Sequence, residues 1–154
     1  MPATAPTSPR VSHADPRVQR VIDCFETLAP DGLDRLAEVY SADAAFKDPF
    51  NEVRGIPAIR AIFEHMFRTL RAPRFVVREA IAQGDQACLT WDFLFVSPGL
   101  GADGQCIRGA THLRFDAQGR VSLHRDYWDA AEELYEKLPL LGALMRWLKK
   151  RASS

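Results

Sequence analysis

The feature that most constrains this chain is a change of hydrophobic period near its middle. Up to Leu70 apolar residues recur every three or four positions, and from Arg74 onward they alternate. Val18, Val21, Ile22, Phe25 and Leu28 fall on one helical stripe, with Asp15 placed to cap it and Pro16 suited to its first turn. "APDG" breaks that helix, and Leu33, Leu36, Ala37 and Tyr40 mark a second, shorter one. "GIPAIRAIFEHMFRTL" sets Ile59, Ile62, Phe63, Met66, Phe67 and Leu70 on one face of a third helix, entered through Pro57. The runs "RFVVREAIAQG", "QACLTWDFLFVSP", "QCIRGATHLRFDAQG" and "RVSLHRDYWD" then read as four strands of a meander, with turn signals between them. Helices first and antiparallel strands afterwards predict an α+β domain whose helices cover one face of a bent sheet.

The ends differ from this middle. Residues 1–15, "MPATAPTSPRVSHAD", are rich in proline and small polar residues without periodicity, which predicts a flexible tail or a strap that orders on docking. Residues 16–130 form the domain. Residues 131–154 read as a helical extension interrupted at Pro139, with Leu144, Met145, Trp147 and Leu148 set among Arg146, Lys149, Lys150 and Arg151. Such a helix either lies over the domain as a lid with its basic end in water, or touches an anionic membrane or an acidic partner.

Composition narrows the function. A chain of 154 residues suits one domain, and 20 basic against 20 acidic residues give no field that would draw nucleic acid. No apolar run approaches the roughly 18 residues of a transmembrane segment. Cys24, Cys88 and Cys106 are an odd number in apolar or strand-like contexts, which suits buried free thiols in a reducing cytoplasm. No phosphate-cradling glycine loop and no metal-ligand spacing among the four histidines is present, so neither a cofactor nor a metal is expected.

A carboxylate set is left to carry chemistry. Asp48 lies in "AAFKDPFNEVRG" between Phe46 and Phe50, where Asp-Pro and Asn are also ordinary turn formers. Asp92 sits inside "LTWDFLFV", where a charge facing a core must be paired or shifted in pKa. Asp126 shares a strand face with His124 and Trp128, since alternation places positions i, i+2 and i+4 together. Two carboxylates meeting in a dry cavity can hold one proton between them, one acting as acid and the other as base. Each could instead be a structural Asp paired to an arginine or a backbone amide. Alternation also divides Thr90, Asp92 and Leu94 from Trp91, Phe93 and Phe95. With helices over the Asp92 face, the aromatic row needs another cover, supplied either by a second copy of the sheet, giving a homodimer, or from within the chain by the C-terminal tail.

From about Pro16 to Gly142 the chain resembles the nuclear transport factor two-like superfamily, whose enzymes include ketosteroid isomerases, limonene epoxide hydrolases and SnoaL-like polyketide cyclases. The resemblance rests on "VQRVIDCFETLAPDGLDRLAEVYSADAAFKDP", on "GIPAIRAIF" and on "FDAQGRVSLHRDYWD". It implies a cone-shaped α+β barrel: N-terminal helices packed on a strongly bent antiparallel sheet of four to six strands, followed by a C-terminal helix. Likeness to ketosteroid isomerases implies that Asp48 is a general base, but their two oxyanion donors correspond here to Val21 and Thr111, which argues against steroid isomerisation. Likeness to limonene epoxide hydrolases around "HRDYWD" implies that Asp126 and Asp92 are the catalytic pair. The arginine of that family falls at Thr90, and its water-positioning tyrosine and asparagine fall at Phe46 and Asp48.

The resulting expectation is a pocket for a small hydrophobic molecule, with Asp48, Asp92 and Asp126 handling protons. Phe46, Phe50, Phe63, Phe67, Thr90, Leu94, Thr111, Leu113, His124 and Trp128 are expected to line it. Isomerisation, cyclisation and hydration all satisfy those residues. A binding or accessory protein of the same fold, in which the aspartates only orient a polar group, satisfies them too.

Overall fold

The computed structural model describes residues 9–101, 103–133 and 139–152. The first eight residues of the expected N-terminal tail, and residues 134–138 at the start of the C-terminal extension, lie outside them. The elements, in chain order, are α1 (Pro16–Glu26), a short 3-10 turn leading into α2 (Leu36–Val39), β1 (Tyr40–Lys47), β2 (Glu52–Arg54), α3 (Ile56–Thr69), β3 (Arg71–Gln83), β4 (Gln86–Val96), β5 (Gln105–Phe115), β6 (Val121–Tyr127), α4 (Ala130–Glu133) and α5 (Pro139–Ala152). This is the α+β arrangement the change of period predicts.

Local chemistry sets the helix ends. Asp15 caps α1 by accepting from the Arg17 amide, and Pro16 occupies the first turn, where its missing N–H costs nothing. Val18, Val21, Ile22, Cys24 and Phe25 bury the inner stripe of α1. Residues 9–15 lie along that helix: Arg10 pairs with Asp23 and Glu26, and Val11 packs against the core. Gly55, at φ 91°, turns the chain from β2 into α3 through a conformation that a β-carbon would strain.

The sheet runs β2-β1-β6-β5-β4-β3. The four expected strands appear as β3 to β6, and two more precede them. β1 pairs with β6 in parallel, Phe46 opposite His124, while every other pairing is antiparallel. The sheet is therefore mixed, because β1 reaches β6 only after the intervening helix and three long strands. Irregularities at Val77/Glu79 in β3 and at Arg114/Phe115 in β5 bend it around the helices. α1 packs on β3, and α3 bridges β1 and β3.

The two faces of β4 are the reverse of the expectation. Trp91 and Phe95 are buried on the helix side with Phe93 between them, whereas Asp92 pairs with Arg78 on the open side. Three aromatic rings bury far more apolar surface than Thr90, Asp92 and Leu94 could, so the helices cover the aromatic row. That row therefore needs no second copy of the chain to shield it, and it is not a dimer surface. Cys88 is exposed on the open side, contrary to the expectation of three buried thiols, while Cys24 is buried and its thiol is pushed up to about 11 by desolvation.

Candidate active site

Helix α3 and the inner face of the sheet enclose a cavity of about 340 Å³, walled by Phe46, Phe63, Phe75, Trp91, Phe93 and Phe95. Asp48, Phe50 and Trp128 stand on its rim side, with the Phe50 and Trp128 rings edge to face at 5.4 Å. A deeper space of about 30 Å³, room for about one water molecule, is lined by Val21, Phe25, Leu89, Thr111 and His124. Asp126 lines both spaces.

Register brings the polar groups together. Thr111 of β5 lies opposite Asp126 of β6, and Leu113 lies opposite His124. Thr111 Oγ1 donates to Asp126 Oδ1 at 2.5 Å and accepts from Trp91 Nε1 at 2.8 Å. His124 Nε2 meets the same Oδ1 at 2.7 Å, and His124 Nδ1 meets the Tyr40 hydroxyl at 2.7 Å. With Nε2 donating to the carboxylate, Nδ1 is left to accept the phenolic proton, so Tyr40 fixes the imidazole tautomer. Burial, then the charge of Asp126, push the Tyr40 phenol well above its ordinary range. Tyr40 is thus a donor, never an anion, at neutral pH.

Asp126 is asymmetrically held. Oδ1 accepts from both Thr111 and His124, and Oδ2 takes no hydrogen bond from any described residue. The side chain is 16% exposed. A carboxylate whose inner oxygen is occupied twice takes up a proton on its outer oxygen. The Phe46 ring stacks on His124 at 4.5 Å and Phe25 packs against it at 5.6 Å, which keeps the imidazole in place.

The other two aspartates have separate fates. Asp48 lines the cavity and also makes the β1–β2 turn: Oδ1 accepts from the Phe50 and Asn51 amides, and Asn51 Nδ2 reaches both carboxylate oxygens. Asp48 thus makes the turn and also borders the cavity. Asp92 leaves the site altogether, held by Arg78 Nε and Nη2 at 2.8 and 2.6 Å on the open face. Thr90 and Leu94 follow it there, because they share its alternation. The inward positions beside them carry Trp91 and Phe93, so no Asp92–Asp126 pair forms.

Of the expected lining residues, Phe46, Phe50, Phe63 and Trp128 border the main cavity and Thr111 and His124 the deeper one. Phe67 packs against the core without lining either, and Leu113 is fully buried beneath them. Sequence reasoning missed Trp91, Phe93 and Phe95, which are visible once the parity of β4 is reversed, and Phe75, which the ladder sets opposite Phe93. It also missed Tyr40, which was assigned to a helix end and carries no local signal of its role.

The profile for the SnoaL-like domain matches residues 18–124. No curated protein matches the chain. Among solved structures, an NTF2-like protein of unknown function from Burkholderia pseudomallei is similar over 75% of this chain and 92% of its own, at 17% identity and a TM-score of 0.66. A Catenulispora acidiphila protein with a ketosteroid isomerase-like fold, solved with trimethylamine, covers 79% of this chain and 92% of its own at 16% identity and a TM-score of 0.66. An LEH-like epoxide hydrolase from M. tuberculosis covers 86% of this chain and 96% of its own at 16% identity and a TM-score of 0.64. These likenesses establish the fold.

Proposed function

Because the chain belongs to the SnoaL-like domain family, we propose that its cavity takes a small hydrophobic molecule and that Asp126 moves a proton on that molecule. The asymmetric grip on Asp126 carries this reading. Its Oδ1 is anchored by Thr111 and His124, and its Oδ2 is left for a guest. Aromatic walls exclude water and bind an apolar skeleton, while a carboxylate fixed within them meets the geometric requirement for a general base. Thr111 and His124 hold the carboxylate in one orientation, and Tyr40 and Trp91 orient those two residues in turn. Asp126 would supply the base for removal of a proton from carbon next to a carbonyl, the step common to isomerisation and cyclisation. The enolate oxygen formed in that step also needs a hydrogen-bond donor, which must come from a group other than Thr111 and His124, both engaged on Asp126.

Binding without turnover is the second reading, and the placement of the other carboxylates favours it. Asp92 lies outside the cavity, and Asp48 is already engaged by its own turn. A proton taken by Asp126 must then be returned by Asp126 itself or by water.

The test is solvent exchange. Native protein and Asp126→Asn are incubated in deuterium oxide with a panel of hydrophobic ketones that shift the melting temperature, and deuterium entry at carbon is followed by NMR. Exchange with the native protein, lost in Asp126→Asn while the thermal shift survives, is the expected result. Binding without exchange in the native protein supports the second reading. Exchange undiminished in Asp126→Asn removes Asp126 from the chemistry.

A further inference from the structure

Helix α5 buries Gly142 and turns Leu144, Trp147 and Leu148 outward, at 51%, 51% and 46% exposure. At 100° per residue these three positions form one stripe, i, i+3 and i+4, along the last turns of the helix. A core-forming stripe would point the other way. The stripe is therefore not a lid seal over the domain in this structure.

The charges of the same helix are one-sided in sign. Between Pro139 and Ala152 it carries Arg146, Lys149, Lys150 and Arg151 and no acidic residue, although the whole chain is balanced at 20 against 20. Arg146 and Lys150 fall on the flank opposite the apolar stripe. Arg151 lies over the Trp147 ring at 4.8 Å, a cation set directly beside an amphipathic aromatic. At 14 residues the helix is about 21 Å long, and no described helix is long and apolar enough to cross a bilayer. Leu and Trp on one side, Arg146 and Lys150 on the other, Arg151 at the end of the apolar stripe where its long side chain can reach back to the headgroups, and short length are the attributes of a helix that lies in the plane of a membrane surface.

We propose that α5 docks the protein on an anionic lipid surface, with Leu144, Trp147 and Leu148 in the acyl boundary and the basic residues at the phosphate level. The concentration of positive charge in an otherwise neutral chain selects this occupant over a second copy, whose α5 would bring the same charge against it. The inference is independent of the cavity and of any reaction there.

The test is sedimentation of the full chain with vesicles of phosphatidylcholine alone and of equal parts phosphatidylcholine and phosphatidylglycerol. The variants are Trp147→Ser with Leu148→Ser, and Lys150→Glu with Arg151→Glu. Far-UV circular dichroism and melting temperature check that each variant folds. The native chain is expected to sediment with the anionic vesicles only, and less so as salt rises. Each double variant is expected to bind on the order of tenfold or more weakly. Should the apolar variant fail to fold, the charge reversal alone decides the question. Absence of binding to anionic vesicles, equal binding to neutral ones, or binding untouched by the substitutions overturns the proposal. So does a native dimer that the α5 variants dissociate in analytical ultracentrifugation, since the occupant is then a second copy.

Discussion

Thr111 donates its hydroxyl proton to Asp126 across directly paired positions of β5 and β6, and receives the Trp91 indole N–H in exchange. The hydroxyl thus serves a buried donor and a part-buried acceptor at once. Thr111→Val keeps the shape, leaves the Trp91 indole N–H without an acceptor and leaves Asp126 Oδ1 with His124 alone, so it is expected to lower unfolding free energy by about 1–3 kcal/mol in urea titration. Thr111→Ser retains the hydroxyl and is expected to lose less than about 1 kcal/mol. Equal losses for the two would mean that the methyl group, and not the hydrogen bonds, matters.

Tyr40 gives a signature in alkali. Its folded pKa is raised, so the neutral phenol is favoured by folding. Its contribution is fully present below the unfolded value of 10.0 and is lost as pH rises beyond it. Native protein should therefore lose stability above pH 10 more steeply than Tyr40→Phe. At pH 7 the same variant should be less stable by about 1–3 kcal/mol, because His124 Nδ1 loses its buried donor. Parallel pH–melting curves for the two proteins would contradict the assignment.

Asp92→Asn is expected to do little. Its partner Arg78 is 43% exposed on the open face, where ion pairs contribute roughly 0–1 kcal/mol. Ligand-induced thermal shifts should be unchanged, in contrast to Asp126→Asn in the exchange assay. A loss of ligand response in Asp92→Asn would bring that residue back to the site.

Gly109 lies opposite Trp91, and a β-carbon there would come within 2.4 Å of the indole ring. Gly109→Ala must displace the ring, breaking its bond to Thr111 and driving it into the cavity. A cost of about 1–3 kcal/mol and a weakened ligand response are expected, measured by thermal denaturation with and without ligand. Unchanged binding with the Trp91 fluorescence preserved would show that the strand can yield instead.

The legible parts of this molecule are those that local spacing determines. α1 and α3 announce themselves by stripe and cap, and His124, Asp126 and Trp128 by their shared strand face. β1 was hidden because "YSADAAF" mixes small and polar residues, and its partner β6 lies some eighty positions on in sequence, as the Tyr40–His124 bond spanning 84 residues shows. The parity of β4 was readable as a division but not as a direction. Both rows contain apolar residues, and which row faces the helices is decided by the ladder with β3 and β5 and by the greater area of the rings. Asp92 was misplaced by that single reversal, and the supposed dimer face with it.

The sheet order also sets a sequence of assembly. β6, the last strand in the chain, occupies an interior position between β1 and β5, and it carries both His124 and Asp126. Until residue 127 has emerged and inserted, β1 and β5 present unpaired edges to each other and the Asp126 carboxylate has no Thr111 to hold it. Half-made chains therefore lack the site entirely, and closing the sheet and arming the carboxylate are one event. Such late, long-range pairing slows folding, which makes any truncation before β6 an edge-exposed and aggregation-prone species without the His124–Asp126 site.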